Sequence, residues 1–152
     1  MLKEINEQDK VFKDTVNYYF DGSLESLEKS FGFIKKFKKI DIVACGSAYH
    51  TGIVGKNLIE KYADIPVNVE VASEYRYKKC FYDKDTLLIV VSQSGETADT
   101  LAALRKAKND GITTMAIVNV IGSSIAREAD HVIYIKAGFE IAVATTKAYL
   151  AQ

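Results

Sequence analysis

The sequence predicts an α/β fold with an open, doubly wound parallel sheet of five strands flanked by helices. Five short runs rich in β-branched residues have the length of strands, and stretches with helical spacing of apolar residues lie between them. Strands that alternate with helices are joined as parallel neighbours by right-handed crossovers. The third run, residues 86–91, is apolar almost throughout, which is typical of a central strand covered on both faces.

The elements can be assigned in chain order from residue 40 onward. The predicted strands are 40–44, 67–71, 86–91, 114–118 and 131–135. The predicted helices are 49–62 and 97–108, with shorter helical pieces at 73–77 and 123–129. Because apolar residues recur at helical spacing in the two longer helices, each has a face that can pack on the sheet.

The first 39 residues differ from the rest in being rich in Lys, Glu and Phe. A break at residues 21–23 places Ser23 where it can cap the helix that follows. We therefore divide the chain into a linker and N-terminal helical segment, residues 1–39, and a sheet domain, residues 40–152. A last helix begins near Thr145 without a stop signal after it, so we expect the domain to be truncated at its C-terminus.

Composition excludes several classes of function. Twenty Lys and Arg balance twenty Asp and Glu, so the chain lacks the basic excess of a nucleic-acid-binding protein. No apolar run approaches the roughly 18 residues of a membrane span, and the N-terminus lacks a signal-peptide pattern. Cys45 and Cys80 stand far apart and show no metal-ligand spacing. We therefore predict a cytoplasmic protein with reduced thiols, without a metal ion and without a membrane or nucleic-acid partner.

The strongest candidate site follows the third predicted strand. Residues 92–97 are Ser-Gln-Ser-Gly-Glu-Thr, and a helix begins where they end. The first turn of a helix has unpaired N–H groups and a partial positive charge, so it can bind a phosphate. The hydroxyls of Ser92, Ser94 and Thr97 add donors without adding charge. Capping the helix needs one hydroxyl, whereas three occur within six residues, which favours a phosphate site.

Two other strand ends carry polar residues. Gly46 and Ser47 follow the first strand and lie where they can line the same crevice, because ligands bind beyond the carboxyl ends of parallel strands. The motifs GxGxxG and GxxxxGK[ST] are both missing, which disfavours dinucleotide and Walker-type nucleotide binding. After the fifth strand, residues 138–140 and 145–147 are polar, and spacing alone leaves a binding site and a loop with a capped helix equally open.

Taken together, five segments resemble the sugar isomerase (SIS) domain family. More narrowly, they resemble the isomerase region of the glutamine:fructose-6-phosphate aminotransferases, also called glucosamine-6-phosphate synthases. The resemblance covers essentially the whole chain. The segments are 45–47 (Cys-Gly-Ser), 72–77 (Ala-Ser-Glu-Tyr-Arg-Tyr), 92–100 (Ser-Gln-Ser-Gly-Glu-Thr-Ala-Asp-Thr), 122–124 (Gly-Ser-Ser) and 140–148 (Glu-Ile-Ala-Val-Ala-Thr-Thr-Lys-Ala).

The resemblance implies an activity and a set of site residues. Full-length enzymes of this family transfer ammonia from glutamine to fructose 6-phosphate and isomerise the product to glucosamine 6-phosphate, for hexosamine synthesis. By motif matching, the residues that hold the sugar phosphate are Ser92, Gln93, Ser94 and Thr97, supported by Ser47, and those that line the sugar pocket are Val143 and Thr145. Ala48 and Thr145 depart from the family pattern, in which serine is expected at both positions.

The resemblance also implies what this chain lacks. The cysteine of the glutaminase domain, and the lysine, glutamate and histidine of the second SIS half, have no counterpart here. We therefore expect a site that binds fructose 6-phosphate or glucosamine 6-phosphate, with no catalytic residue and no cofactor. Its expected partners are the glutaminase domain and second SIS half of a parent enzyme, assembled as a homodimer.

Two alternative functions stay open. The first is a non-catalytic SIS module that senses a sugar phosphate and regulates a partner. The second is a receiver-like signalling domain with Asp41 as the phosphorylated residue, although the sequence lacks the acidic cluster with which such domains hold magnesium.

Overall fold

The computed structural model of the chain describes residues 1–142 and 144–152. Its five strands form one sheet with all neighbours parallel, which confirms the predicted doubly wound α/β fold. The strands are β1 (Lys39–Ala44), β2 (Val67–Val71), β3 (Thr86–Ser92), β4 (Thr113–Val118) and β5 (His131–Tyr134). Their order across the sheet is β2-β1-β3-β4-β5.

Helices precede the sheet, connect its strands and follow it. Before β1 the chain forms α1 (Leu2–Asn6), α2 (Gln8–Tyr19), α3 (Leu24–Phe31) and a 3-10 helix (Gly32–Lys36). The later helices are α4 (Ser47–Ala63), α5 (Ala72–Tyr75), α6 (Ala98–Asn109), α7 (Ser124–Glu128) and α8 (Lys147–Ala151). In the described part of the chain, no helix is long and apolar enough to cross a membrane.

The direction in which the sheet grows reverses at its centre. The chain adds β2 on one side of β1, then places β3 on the other side and continues outward with β4 and β5. The register sets Ala44 beside Val91, so the turns that follow β1 and β3 leave the sheet at the same level. In open α/β sheets, ligands bind at such a switch point, in the crevice beyond the carboxyl ends of the strands.

The central strand β3 is buried along its whole length, as predicted. Successive side chains of a strand point to opposite faces of the sheet. Leu88 and Val90 therefore pack in the layer under α6 and α7, whereas Leu87 and Ile89 pack in the layer under α4. Full burial of each such side chain stabilises the fold by roughly 1.5–3 kcal/mol. The two layers hold both strand ends of the switch point in place.

The N-terminal helices pack against the last helix. Val11 of α2 forms a small buried cluster with Ile135, Ala137 and Ala148, which joins α2 to α8 and to the chain that follows β5. The Tyr19 hydroxyl donates to the carbonyl oxygen of Tyr134 (3.1 Å), one further link between this segment and the end of β5. Residues that are distant in sequence therefore share one small core.

The ends of several elements differ from the sequence predictions by a few residues. The Ser23 hydroxyl accepts the Ser26 N–H (3.2 Å), which confirms the predicted cap, but α3 becomes a 3-10 helix at Gly32. Glycine is a poor helix former, so the tighter turn begins there. Helix α6 starts at Ala98 because Thr97 has extended backbone angles and is its N-cap. Strand β5 ends at Tyr134, one residue earlier than predicted.

Candidate functional site

A cavity of about 190 Å³ lies at the switch point between β1 and β3. The residues that line it carry hydroxyl, amide, thiol or apolar side chains, and none of these is charged. They are Cys45, Ser47, Ala48, Val91, Ser92, Gln93, Ser94, Thr97, Thr145 and Gln152. The cavity therefore offers neutral hydrogen-bonding groups at the position where the fold predicts a ligand.

One wall of the cavity is the turn between β3 and α6, which we call the hydroxyl turn (residues 92–97). Its shape is held by its own side chains. The Gly95 N–H donates to the Ser92 hydroxyl (3.0 Å), and the Glu96 N–H donates to the Ser94 hydroxyl (3.2 Å). The hydroxyls of Ser92 and Thr97 are hydrogen-bonded to each other (3.0 Å). These bonds keep three hydroxyl groups on one short stretch of backbone.

Whether each hydroxyl of the turn can donate a hydrogen bond to a ligand depends on where its proton is used. Ser94 uses its oxygen to accept from Glu96, so its proton is free to donate into the cavity. Ser92 is buried, and a Ser92 hydroxyl that donates to Thr97 leaves the Thr97 proton free in turn. Ser94 and Thr97 thus have hydroxyl protons that no bond of the turn uses, whereas the Ser92 hydroxyl is hydrogen-bonded within the turn.

Two separate constraints favour glycine at position 95. Its φ of +67° lies in the left-handed region that favours glycine. A Cβ at this position would also lie 2.0 Å from the Ser123 Oγ, far closer than nonbonded atoms approach. The backbone of the hydroxyl turn therefore packs directly on the residue that precedes α7. The Ile125 N–H donates to the Gly95 carbonyl (3.0 Å), which fixes this approach.

The carboxylate of Glu96 ties the hydroxyl turn to α7 from the other side. It accepts the backbone N–H of Ser124 (2.7 Å), and this hydrogen bond lowers the pKa of Glu96 below its usual value. The negative charge of Glu96 is thereby held on the first turn of α7 and away from the cavity. An anion in the cavity does not have to compete with it for the donors of the hydroxyl turn.

The turn between β1 and α4 forms the neighbouring part of the wall. Gly46 has a φ of +59° and lets the chain reverse sharply, so that Ser47 is the first residue of α4. The next residue, Ala48, is buried and contributes only a methyl group to the cavity. The amino ends of α4 and α6 meet here, and each contributes unpaired N–H groups and about half a positive charge. Together they favour an anion without any basic side chain.

We call the chain that follows β5, up to the first residue of α8, the outer wall (residues 138–142 and 144–147). Of these residues, Thr145 is the one that lines the cavity. Glu140 folds the wall on itself, because its carboxylate accepts from both the Thr146 N–H (2.9 Å) and the Thr146 hydroxyl (3.0 Å). The Glu140 side chain therefore stabilises the conformation of the outer wall, which carries Thr145.

The N-terminal helix α1 holds the outer wall from outside. One carboxylate oxygen of Glu4 accepts the N–H groups of Ile141 (2.7 Å) and Ala142 (3.2 Å). Hydrogen bonds from the amino group of Met1, and then from Ile141, lower the pKa of Glu4 to about 2. The carboxylate is thus ionised throughout the neutral and mildly acidic range, and the clamp on the outer wall persists with it.

A second clamp joins Glu7 to Lys147. The Glu7 carboxylate lies 2.7 Å from the Lys147 ammonium group, and residue Lys147 is only 5% exposed. The hydrogen bond from Lys147 lowers the pKa of Glu7 below its usual value. Because a buried ammonium group needs a partner, this ion pair stabilises the first turn of α8 in its position.

The structure brings together six of the seven site residues that the sequence singles out. Those around one cavity are Ser47, Ser92, Gln93, Ser94, Thr97 and Thr145. Val143 lies outside the described residues. The part that these residues play in binding stays a prediction, but their shared cavity is the geometry that such a part requires.

The sequence analysis missed three lining residues: Cys45, Val91 and Gln152. Cys45 and Val91 directly flank the predicted motifs and belong to the same strand ends. Gln152 had no usable signal in the sequence, because only the structure shows that Ala148, four positions earlier, is buried.

A larger groove of about 530 Å³ lies at the ends of β4 and β5. Its lining includes Val120, Ile121 and Phe139, which are exposed apolar residues, together with Gly138 and Glu140 of the outer wall. Of the polar cluster after the fifth strand, Thr145 thus faces the smaller cavity, whereas Gly138 and Glu140 face this groove. The groove lacks the paired helix ends and the hydroxyl cluster of the smaller cavity.

Asp41 lies in the middle of β1 and not at the carboxyl end of the strand. It is buried, its carboxylate lies 3.5 Å from the Lys39 ammonium group, and burial raises its pKa. Across the described part of the chain, no group of three or more His, Cys, Asp or Glu side chains is arranged to hold a metal ion. This arrangement gives no support to the receiver-like alternative.

The whole chain is similar to aminotransferases from several bacteria. The chain is 60% identical to the glutamine–fructose-6-phosphate aminotransferase [isomerizing] of Clostridium tetani over 156 residues, covering 100% of this chain and 26% of that protein. The enzyme of the same name from Clostridium acetobutylicum is 54% identical over 156 residues, again covering 100% of this chain and 26% of that protein. The chain thus spans about a quarter of the length of these relatives.

A solved structure has the same fold as this chain. The C-terminal domain of glucosamine-fructose-6-phosphate aminotransferase from Francisella tularensis superposes with a TM-score of 0.91 at 45% identity, covering 99% of this chain and 44% of that chain. The model of the SIS domain family matches residues 33–152, which include the whole sheet and both walls of the cavity. On this match, and on the parallel sheet with its neutral cavity at the switch point, the chain belongs to the SIS domain family.

Proposed function

We propose that this chain provides the sugar-phosphate site of a glutamine:fructose-6-phosphate aminotransferase, the enzyme that makes glucosamine 6-phosphate from fructose 6-phosphate and glutamine. The observation that carries the proposal is the set of Ser47, Ser94 and Thr97 hydroxyls around one cavity at the ends of two helices. The 60% identity to the Clostridium tetani enzyme supports the aminotransferase over a non-catalytic sensor.

The phosphate group is bound by neutral donors in this proposal. Its oxygens accept from the hydroxyls of Ser94 and Thr97 and from the first N–H groups of α4 and α6. Gln93 and Ser47 add donors from the two sides, and Ser92 keeps the turn in shape. Because the donors are rigidly held by the sheet, little conformational entropy is lost on binding. The sugar then extends toward Thr145, and the family resemblance adds Val143 to the residues of the sugar pocket.

The whole reaction needs groups that this cavity does not provide. Ring opening, ammonia transfer and isomerisation each require a general acid or base. The side chains of the described lining residues include no carboxylate, imidazole or amine. We therefore propose that this chain binds and orients the substrate, while a glutaminase domain and a second SIS domain of the same cytoplasmic, homodimeric enzyme supply the reacting groups. The chain alone should then form no glucosamine 6-phosphate.

Thermal unfolding with added ligand tests the binding part of the proposal. A ligand at a hundred times its dissociation constant stabilises the native state by about 2.7 kcal/mol. For a chain of this length, fructose 6-phosphate should then raise the melting temperature by roughly 5–10 °C. Ser94→Ala combined with Thr97→Ala should remove most of this shift, because both donors toward the phosphate are lost.

Ser30→Ala is a matched control, since it removes a hydroxyl from α3 at a distance from the cavity. It should leave the shift unchanged. Absence of a shift in the wild-type chain, or an equal shift in the double variant, would contradict the assignment of the site.

A further inference from the structure

Residues 92–100, which lead from the hydroxyl turn into helix α6, contain two acidic side chains and no basic one. Glu96 and Asp99 therefore bring two negative charges close to a site that offers donors to an anion. Like charges repel, so uncompensated carboxylates at this position would weaken the binding of a phosphate. In the structure, each of the two carboxylates has a partner on another element. Glu96 accepts the backbone N–H of Ser124 in α7.

The carboxylate of Asp99 pairs with the guanidinium group of Arg76. Asp99 is the second residue of α6, and Arg76 directly follows the short helix α5. A guanidinium nitrogen of Arg76 donates to the Asp99 carboxylate at 2.6 Å. Arg76 thus places a positive charge directly against the negative charge in the first turn of α6.

The first turn of α6 contacts the cavity on one side and Arg76 on the other. Thr97, the N-cap, lines the cavity, and the Thr100 hydroxyl donates to the sulfur of Cys45 in the cavity wall (3.9 Å). Asp99 belongs to the same turn, so its charge lies within about one helix diameter, 10–12 Å, of the cavity. Neither Arg76 nor Asp99 is among the described residues that line the cavity. Their effect on a ligand is therefore electrostatic.

An acidic residue in the first turn of a helix stabilises the helix but opposes a bound anion. The partial positive charge at the amino end attracts the carboxylate, and it attracts a phosphate for the same reason. The two negative groups therefore repel each other at one helix end. Because Arg76 neutralises Asp99, the positive end of α6 stays available to a ligand in the cavity.

We propose that Arg76 supports phosphate binding from outside the cavity by neutralising Asp99 at the amino end of α6. The proposal rests on the proposed function, since it concerns the affinity of the same site for the phosphate group. Arg76 acts through Asp99 and touches neither the phosphate nor the sugar, so it is a positioning residue. It should affect inorganic phosphate and fructose 6-phosphate alike.

The variants Arg76→Gln and Asp99→Asn and their combination test the proposal. The affinities of both ligands are measured by titration calorimetry on the full 152-residue chain. Arg76→Gln leaves the charge of Asp99 unpaired, so it should weaken both ligands roughly two- to fivefold. Asp99→Asn leaves the charge of Arg76 unpaired and should tighten both by a similar factor. The double variant has no net charge at this position, so it should return to within about twofold of the wild type.

Ionic strength separates an effect of charge from an effect of shape. The side chains of Arg76 and Asp99 are 34% and 38% exposed, so salt can screen their charges. The ratio of wild-type to Arg76→Gln affinity should therefore approach one at about 1 M salt, where the Debye length is about 3 Å. Arg105→Gln is the matched control, because it breaks the ion pair with Glu128 further along the same helix. It should alter neither affinity.

The outcomes separate this proposal from the proposed function. Failure of the wild-type chain to bind either ligand overturns both. Normal binding by the wild type with equal binding by Arg76→Gln overturns only the role of Arg76. Equal losses in Arg76→Gln and in the double variant also overturn that role, because Arg76 then acts through the packing of α5 on α6. A loss in Arg76→Gln that salt does not reduce leads to the same conclusion.

Discussion

The two walls of the cavity are held in place in different ways. The hydroxyl turn is shaped by hydrogen bonds between residues two and three positions apart, from Glu96 to Ser94 and from Gly95 to Ser92. The outer wall depends on contacts with α1 and with the residue that follows it: Glu4 and Ile141 are 137 positions apart, and Glu7 and Lys147 are 140 positions apart. One wall is therefore a local structure and the other is a tertiary one.

Under the proposed function, the two walls contact different parts of the sugar phosphate. The local wall offers the donors that a phosphate needs, and it packs on the buried central strand β3. The outer wall carries Thr145 and is followed by α8. Damage to the local wall should therefore abolish binding of any phosphate, whereas damage to the outer wall should mainly weaken recognition of the sugar.

The largest effect is expected from Gly95→Ala, which breaks the hydroxyl turn. A side chain at this φ of +67° is strained, and its Cβ would overlap the Ser123 Oγ. The strain and the overlap together cost about 2–4 kcal/mol, so the turn should change its shape and phosphate binding should fall more than tenfold. Thermal unfolding and phosphate titration measure the two effects.

A double variant identifies the cause of the Gly95→Ala effect. Ser123→Gly removes the overlapping side chain, and the next atom, the Val118 Cγ1, lies at an ordinary 3.5 Å from the added Cβ. Gly95→Ala combined with Ser123→Gly should therefore recover part of the lost binding, with the cost of the φ angle remaining. No recovery at all would show that the contact with Ser123 is not what requires glycine here.

A smaller effect is expected from Glu7→Gln, which releases the outer wall. Lys147 then stays buried without its carboxylate partner, so the melting temperature should fall and fructose 6-phosphate binding should weaken more than inorganic phosphate binding. Asp9→Asn removes an exposed ion pair with Lys13 near the same end of the molecule, and it should have little effect. Equal losses for both ligands would remove the distinction between the two walls.

The ion pair between Glu7 and Lys147 predicts that the stability of the fold depends on pH. Lys147 lowers the pKa of Glu7 from its ordinary value of 4.5, so the unfolded state binds the proton more readily. The stability from this pair should therefore be complete above about pH 4.5 and should be lost as the pH falls through the lower pKa of the folded state. Denaturant unfolding of the wild type and Glu7→Gln should show curves that converge in acid.

The smallest effect is expected from Ala48→Ser, which adds a hydroxyl to the local wall. Ala48 lines the cavity in the first turn of α4, next to Ser47. One added hydrogen bond of about 0.5–1 kcal/mol should tighten the binding of inorganic phosphate and fructose 6-phosphate alike, roughly two- to fivefold. Titration of both ligands checks this, and tighter binding of only the sugar phosphate would place Ala48 on the sugar side instead.

Much of the local wall can be predicted from the sequence because its bonds are local. Ser92, Ser94 and Thr97 follow a strand and precede a helix, so their spacing already indicates hydroxyl groups at an unpaired helix end. The close contact of the Gly95 backbone with Ser123, which also requires glycine, could not be predicted from the sequence. Ser123 is 28 positions away, and nothing in the spacing connects the two residues. The place of Gln152 in the cavity was missed for a related reason, because α8 reaches the cavity only through its packing on α2.

The sequence by itself determined the parallel α/β sheet, the strand ends that carry hydroxyl groups, and the neutral character of the site. These features follow from residue types and short spacings, which set hydrophobic periodicity, helix capping and local hydrogen bonds. Only the tertiary structure decided that the ends of β1 and β3 meet at one cavity, and that Glu4 of the first helix and Glu7, which follows this helix, hold the outer wall. Such contacts depend on strand order and on the packing of distant helices, which no short stretch of sequence encodes.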